Sequence, residues 1–156
     1  MEEILNIIKK MKKYQTFGGN CGTFALALER YIKEKYNKNL CFILTVSLDG
    51  DEQGNFPNEN INDLIYGDYD LYHVMLGYID KDHPFGLYFD GDGIYDGTNV
   101  TDYMITFCYE EYGNPNPTFV YLEYPEQSYE TIKNIILNNT NWSISVEEFY
   151  KKISNI

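Results

Sequence analysis

An α+β fold is the class this chain predicts, and three features carry the expectation. Apolar residues recur at helical spacing near both ends of the chain. Short apolar runs bounded by turn residues fill the middle. The order is therefore helices, a strand-rich centre, then helices, which suits an antiparallel sheet better than a parallel one. The 42 Leu, Ile, Val and Phe residues among 156 suffice for a packed core and argue against a disordered chain. No internal repeat or linker-like stretch divides the sequence, so one domain is predicted over residues 1–156.

Each element has a local reason. Residues 3–13 place Ile4, Leu5, Ile7, Ile8 and Met11 on one stripe. Gly18 and Gly19 interrupt it just ahead of Asn20 and Cys21. A second helix is predicted from Cys21 to Tyr36, with Phe24, Leu28, Tyr31 and Ile32 on one side. Lys33, Lys35 and Lys38 gather at its C-terminal end, where the helix dipole favours cations. Cys41–Leu48 is apolar and partly β-branched, hence a buried strand. Residues 49–70 are acidic and Asn-rich and read as a long loop with one helical turn near Ile61, Leu64 and Ile65.

Leu71–Ile79 and Phe85–Phe89 are the next strands, joined by a turn over residues 80–84. Asp90, Gly91, Asp92 and Gly93 make a tight turn into a short strand at Ile94 and Tyr95. Thr118–Glu123 is a further strand. A helix is expected to begin near Pro125 and to carry Tyr129, Ile132, Ile135 and Ile136. The last helix begins at Ser145, where Ser145 and Glu148 have capping-box spacing, and Val146, Phe149, Tyr150 and Ile153 form its inner face.

Charge narrows the partners. Asp and Glu number 24 against 12 Lys and Arg, a net charge of -12 that repels phosphate backbones and anionic lipid. Neither nucleic acid nor a membrane surface is an expected partner, whereas a cationic peptide or protein is favoured through steering. No apolar run approaches the ~20 residues of a spanning helix. The N-terminus puts acids first and lysines last, the reverse of a secretory signal. Cys21, Cys41 and Cys108 are too few and too odd in number for a disulfide framework. A cytoplasmic domain with free thiols is expected, with Cys41 and Cys108 in or near the core. The surplus of Asn and Tyr fits an A/T-rich coding genome.

The residues from Gln15 to Ala25 hold the first chemistry. A cysteine in the first turn of a helix faces unpaired N–H groups and the positive end of the dipole, which favour thiolate. The glycines at 18, 19 and 22 would let a substrate backbone approach the sulfur. Gln15 offers a side-chain amide that, with the Cys21 N–H, could form an oxyanion hole. His73, one of two histidines, begins a strand and could take the thiol proton. Seventeen residues further, a returning hairpin strand would set Asp90 beside the imidazole to hold its orientation. Asp96 is the reserve for that third position.

The order Cys21, Gly22, Thr23, Phe24, Ala25, then His73 and Val74, then Tyr88, Asp90 and Gly93 resembles the papain-like and transglutaminase-like cysteine peptidase superfamily. The likeness is to its small bacterial and phage members, and it covers residues 15–97. It implies a nucleophile helix packed on an antiparallel sheet, with Cys21 as nucleophile, His73 as base, Asp90 as its orienter and Gln15 as the oxyanion glutamine. Gly22 departs from the pattern, since papain-type enzymes usually carry an aromatic residue directly after the cysteine.

Other signals fail. The loop beginning at Asp49 has Gln53 and Asn60 where a calcium loop needs ligands, and no cysteine–histidine grouping has zinc spacing. No phosphate-binding loop is present, so neither a metal nor a cofactor is expected. His83 reads as a turn residue. Two function classes remain. One is a cysteine hydrolase or acyl transferase acting on a peptide, isopeptide or amide bond. The other is an inactive acidic binding or inhibitory protein on the same fold, with a phage origin among its possibilities.

Overall fold

The structure, a computed structural model, describes residues 2–14, 19–38, 40–57, 60–123 and 126–156. It is α+β: among the described residues, six α-helices surround a five-stranded antiparallel sheet. Helix α1 (Glu2–Met11) buries Ile4, Ile7, Ile8 and Met11 and runs into a 3₁₀ turn at Lys12–Tyr14. Helix α2 (Cys21–Tyr36) stops at Asn37, which takes the left-handed conformation and returns its N–H to the Lys33 carbonyl. Strand β1 (Cys41–Val46), helix α3 (Ile61–Tyr66) and strand β2 (Leu71–Tyr78) follow. Strands β3 (Leu87–Phe89) and β4 (Ile94–Asp96) form a hairpin. Helix α4 (Val100–Tyr112), strand β5 (Thr118–Leu122), and helices α5 (Tyr129–Asn138) and α6 (Val146–Ser154) complete the chain.

The strand order is β4-β3-β2-β1-β5, so β2, which carries His73, lies at the centre. One face of the sheet packs Phe42, Leu44, Val74, Leu76 and Phe89 against Phe24 and Leu26 of α2, Ile132 of α5 and Phe149 of α6. The opposite face packs Ile43, Met75, Tyr88 and Phe119 against Val100, Met104 and Cys108 of α4. Helix α2 is thus covered on several sides. It even buries Glu29, 2% exposed, whose Oε1 has no hydrogen-bond partner among the described residues and whose carboxyl is pushed above the usual range by burial.

Two expectations need correction. Sequence patterning assigned no element to residues 100–112, which form a helix of 13 residues. Its Val, Thr, Ile, Tyr and Phe residues lose side-chain freedom in a helix and favour strands, which masks the pattern. The buried residues nonetheless fall at Val100, Met104 and Cys108, an i, i+4, i+8 stripe. The helix expected near Pro125 begins instead at Tyr129. Ser128 caps it by accepting the Thr131 N–H at 3.2 Å, and Pro125 lies outside the described residues. At α6, by contrast, Ser145 caps the helix through the Glu148 N–H at 3.1 Å, as its spacing predicts.

Candidate active site

Cys21 is the first residue of α2, and it is 8% exposed. Its position is set by three residues around it. Gly19 has φ of +100°, and a Cβ there would lie 2.4 Å from the Asn141 carbonyl oxygen. A Cβ on Gly22 would lie 2.4 Å from Cγ2 of the buried Ile136. Both glycines therefore serve close packing of the α2 N-terminus on the end of α5. This accounts for the missing aromatic at position 22, while Gly19 also lines the cleft at Cys21 and Gly18 lies outside the described residues. Asn20 is buried and reaches across the chain: its Oδ1 accepts the N–H groups of Ser143 at 2.8 Å and Ile144 at 3.0 Å. The loop between α5 and α6 is thereby fastened to the residue preceding the thiol.

His73 sits in β2 opposite Thr45 of β1, 1% exposed. Register slips beside it, because Thr45 pairs with His73 but Val46 pairs with Leu71. Tyr72 is the extra residue of this bulge, a device that re-aims side chains next to functional groups. The Tyr72 ring consequently meets Tyr112 at 4.7 Å, while the imidazole lies 5.3 Å from Phe107 and Phe107 lies 6.0 Å from Tyr112.

Asp90 follows β3, where Leu76 pairs with Phe89. Continuing that register puts Asp90 opposite Met75, a diagonal neighbour of His73 on the same face. The His73 Nε2 lies 2.9 Å from Asp90 Oδ2, and both side chains are almost completely buried. Asp90 Oδ1 accepts the Asp92 N–H at 2.8 Å and the Gly93 N–H at 3.0 Å; Oδ2 also accepts the Tyr103 hydroxyl at 3.1 Å. This is a donor set suited to a carboxylate.

The Cys21 side chain also interacts with His73 and favours its charged form. With Nε2 given to Asp90, Nδ1 is the nitrogen left for sulfur. Burial alone would lower the pKa of the imidazole, but the hydrogen bond to Asp90 and the interaction with Cys21 outweigh it and raise the pKa to about 9. The ring is then an imidazolium at neutral pH. Burial pushes the Cys41 and Cys108 thiols up to about 11 each.

The structure thus brings Cys21, His73 and Asp90 together. Gln15 lies outside the described residues. Asp96 is placed elsewhere: it is exposed at the end of β4, where its carboxylate accepts the Thr98 and Asn99 N–H groups and the Thr98 hydroxyl in the turn before α4. His83 is in the turn after β2, paired with Asp80 at 3.1 Å. Tyr103 escaped notice because it belongs to the helix that the pattern concealed. The i, i+4 spacing of Tyr103 and Phe107, both on His73 or its acid, was the available signal.

Tyr103 stacks on Tyr95 with centroids 4.2 Å apart and gives one of the two hydrogen bonds at Asp90 Oδ2. Tyr103→Phe is expected to lower the unfolding free energy by ~1.5–3 kcal/mol, the range for a hydrogen bond to a charged group. It should also raise the pKa of His73, since Asp90 would then hold the imidazolium with less competition. Urea unfolding and the NMR titration of the ring check the two effects.

A cleft of about 440 Å³ is lined by Gly19, Cys21, Tyr69, Asp70, Tyr72 and Tyr112 together with residues 139–141. A cysteine lining the cleft, a charged imidazole and a buried carboxylate can together generate a nucleophile and hold the proton that a leaving group requires. No family model matches the chain, and neither a curated protein nor a solved structure matches it.

Proposed function

We propose that the chain is a cysteine-dependent hydrolase or acyl transferase acting on a peptide, isopeptide or amide bond. The observation that carries the reading is the buried His73, engaged at Nε2 by Asp90 and interacting with Cys21, a residue that lines an open cleft. In this reading the Cys21 thiolate attacks the carbonyl carbon and an acyl-enzyme forms as the C–N bond breaks. The His73 imidazolium gives its Nδ1 proton to the departing amine, then takes one from the water or amine that releases the acyl group. Asp90 keeps Nε2 occupied and the ring aimed. The resemblance to papain-like enzymes agrees with this division of roles, and Gln15 remains the proposed oxyanion donor.

Iodoacetamide labelling at neutral pH tests the reading, with the modified residue located by mass spectrometry. Cys21 should react in the native protein well ahead of Cys41 and Cys108, whose thiols burial holds in the protonated form. Labelling of Cys21 only on unfolding would end it. The acidic surface favours the second reading, a binding protein for a basic partner. That reading gains if Cys21→Ala leaves the biological effect intact.

A further inference from the structure

Resting on that reading, we infer that the cleft takes a substrate with a protonated amine or guanidinium beside the scissile carbonyl. Asp70 supplies the counter-charge, and Tyr69, Tyr72 and Tyr112 form the walls. Among the described residues lining the cleft, Asp70 is the one Asp, Glu, Lys or Arg. Its backbone is tied to Ser47 in both directions, by the Ser47 N–H to its carbonyl at 3.0 Å and by its own N–H to Ser47 Oγ at 2.8 Å. The residue is thus fixed at the start of β2, three positions before His73, with an exposed side chain. Tyrosine ring faces attract cations, and Tyr72 and Tyr112 already stand against each other as one aromatic wall.

The wider charge pattern points the same way. Lys9, Lys10, Lys12, Lys13, Lys151 and Lys152 lie on α1, its 3₁₀ extension and α6. Between residues 39 and 132 the sequence holds 18 Asp and Glu residues and a single Lys or Arg, Lys81. That segment supplies the whole sheet, α3 and α4, and Lys81 is in the turn at the far end of β2 from His73. A cleft on such a surface concentrates cations and excludes anions.

Three methanethiosulfonates provide the test: trimethylammonioethyl (cationic) and sulfonatoethyl (anionic), which are similar in size, and the smaller methyl (neutral). In each case the thiolate attacks the thiosulfonate sulfur, a mixed disulfide forms and methanesulfinate leaves. The rate at Cys21 is followed by mass spectrometry, with 2-mercaptoethanol as the reference thiol. The cation-to-anion rate ratio at Cys21 should exceed that of the reference by ~10-fold or more. Asp70→Asn should reduce the ratio several-fold. Asp82→Asn, which removes the same charge from the turn beyond β2, should not.

A ratio within about twofold of the reference overturns the proposal, since focusing by the cleft would exceed that. Equal losses in the two variants also overturn it, because net charge alone would then account for the preference. If the neutral reagent leaves Cys21 of the native protein unmodified, the reactive-cysteine reading fails first and the proposal falls with it.

Discussion

Replacing His73 by alanine is expected to slow alkylation of Cys21 by about 10²–10³-fold near pH 6, the largest kinetic effect of any substitution outside Cys21 itself. General acid–base and ion-pair assistance of this kind is typically worth 10²–10⁴-fold. The pH dependence makes the expectation sharper. An unassisted thiol with a pKa near ~8.5 loses about tenfold in reactivity for each pH unit below it. A thiolate kept as the ion-pair partner of an imidazolium stays available until that pair is protonated. The wild-type rate should therefore fall less steeply with falling pH than that of His73→Ala. Part of the gain is offset because more stabilised thiolates are weaker nucleophiles, so the low end of the range is the safer expectation. Asp90→Asn should fall between the two, since Nε2 would keep a neutral partner and the ring most of its orientation. Identical profiles for wild type and His73→Ala would show that the interaction between Cys21 and His73 has no chemical consequence.

The parts of this site that local pattern exposes differ from those that it hides. Cys21 at the start of a helix is legible because a glycine pair ends one apolar stripe and a second begins directly after it. The juxtaposition of His73 and Asp90 is legible because a short hairpin has few ways to return. The supports of the site are not local. Asn20 meets Ser143 across 123 positions, and Gly22 is shaped by Ile136, so neither role has a signature near its own residue. The Tyr72 bulge depends on how β1 and β2 slip past each other, a property of the pair. Helix α4 was hidden for a different reason. Its residues have weak helix propensity, and the packing of Val100, Met104 and Cys108 on the sheet overrides that preference. With α4 hidden, Tyr103 and Phe107 went unseen, although they complete the enclosure of His73 and Asp90.

That enclosure makes His73 a source of pH-dependent stability as well as reactivity. In the unfolded chain the imidazole titrates near 6.5, and in the fold its pKa is raised to about 9. Because the folded value is the higher, the contribution is fully present below pH 6.5 and disappears as pH rises through about 9. A gap of that size corresponds to ~3 kcal/mol of unfolding free energy, lost at up to ~1.4 kcal/mol per pH unit. Urea unfolding of the wild type should therefore show its midpoint moving to lower denaturant between pH 6.5 and 9.5. His73→Gln, which can still donate to Asp90 but carries no titrating proton, should be much flatter over the same window. The difference between the two proteins isolates the ring from other groups that titrate there, including the N-terminal amine and the remaining thiols. A ring titration followed by NMR in the native protein supplies the same number directly. A His73 midpoint near or below 6.5, together with parallel stability curves, would mean that burial outweighs both interactions. The neutral ring would then be the resting form, and the site would have to begin its chemistry from an uncharged thiol and imidazole.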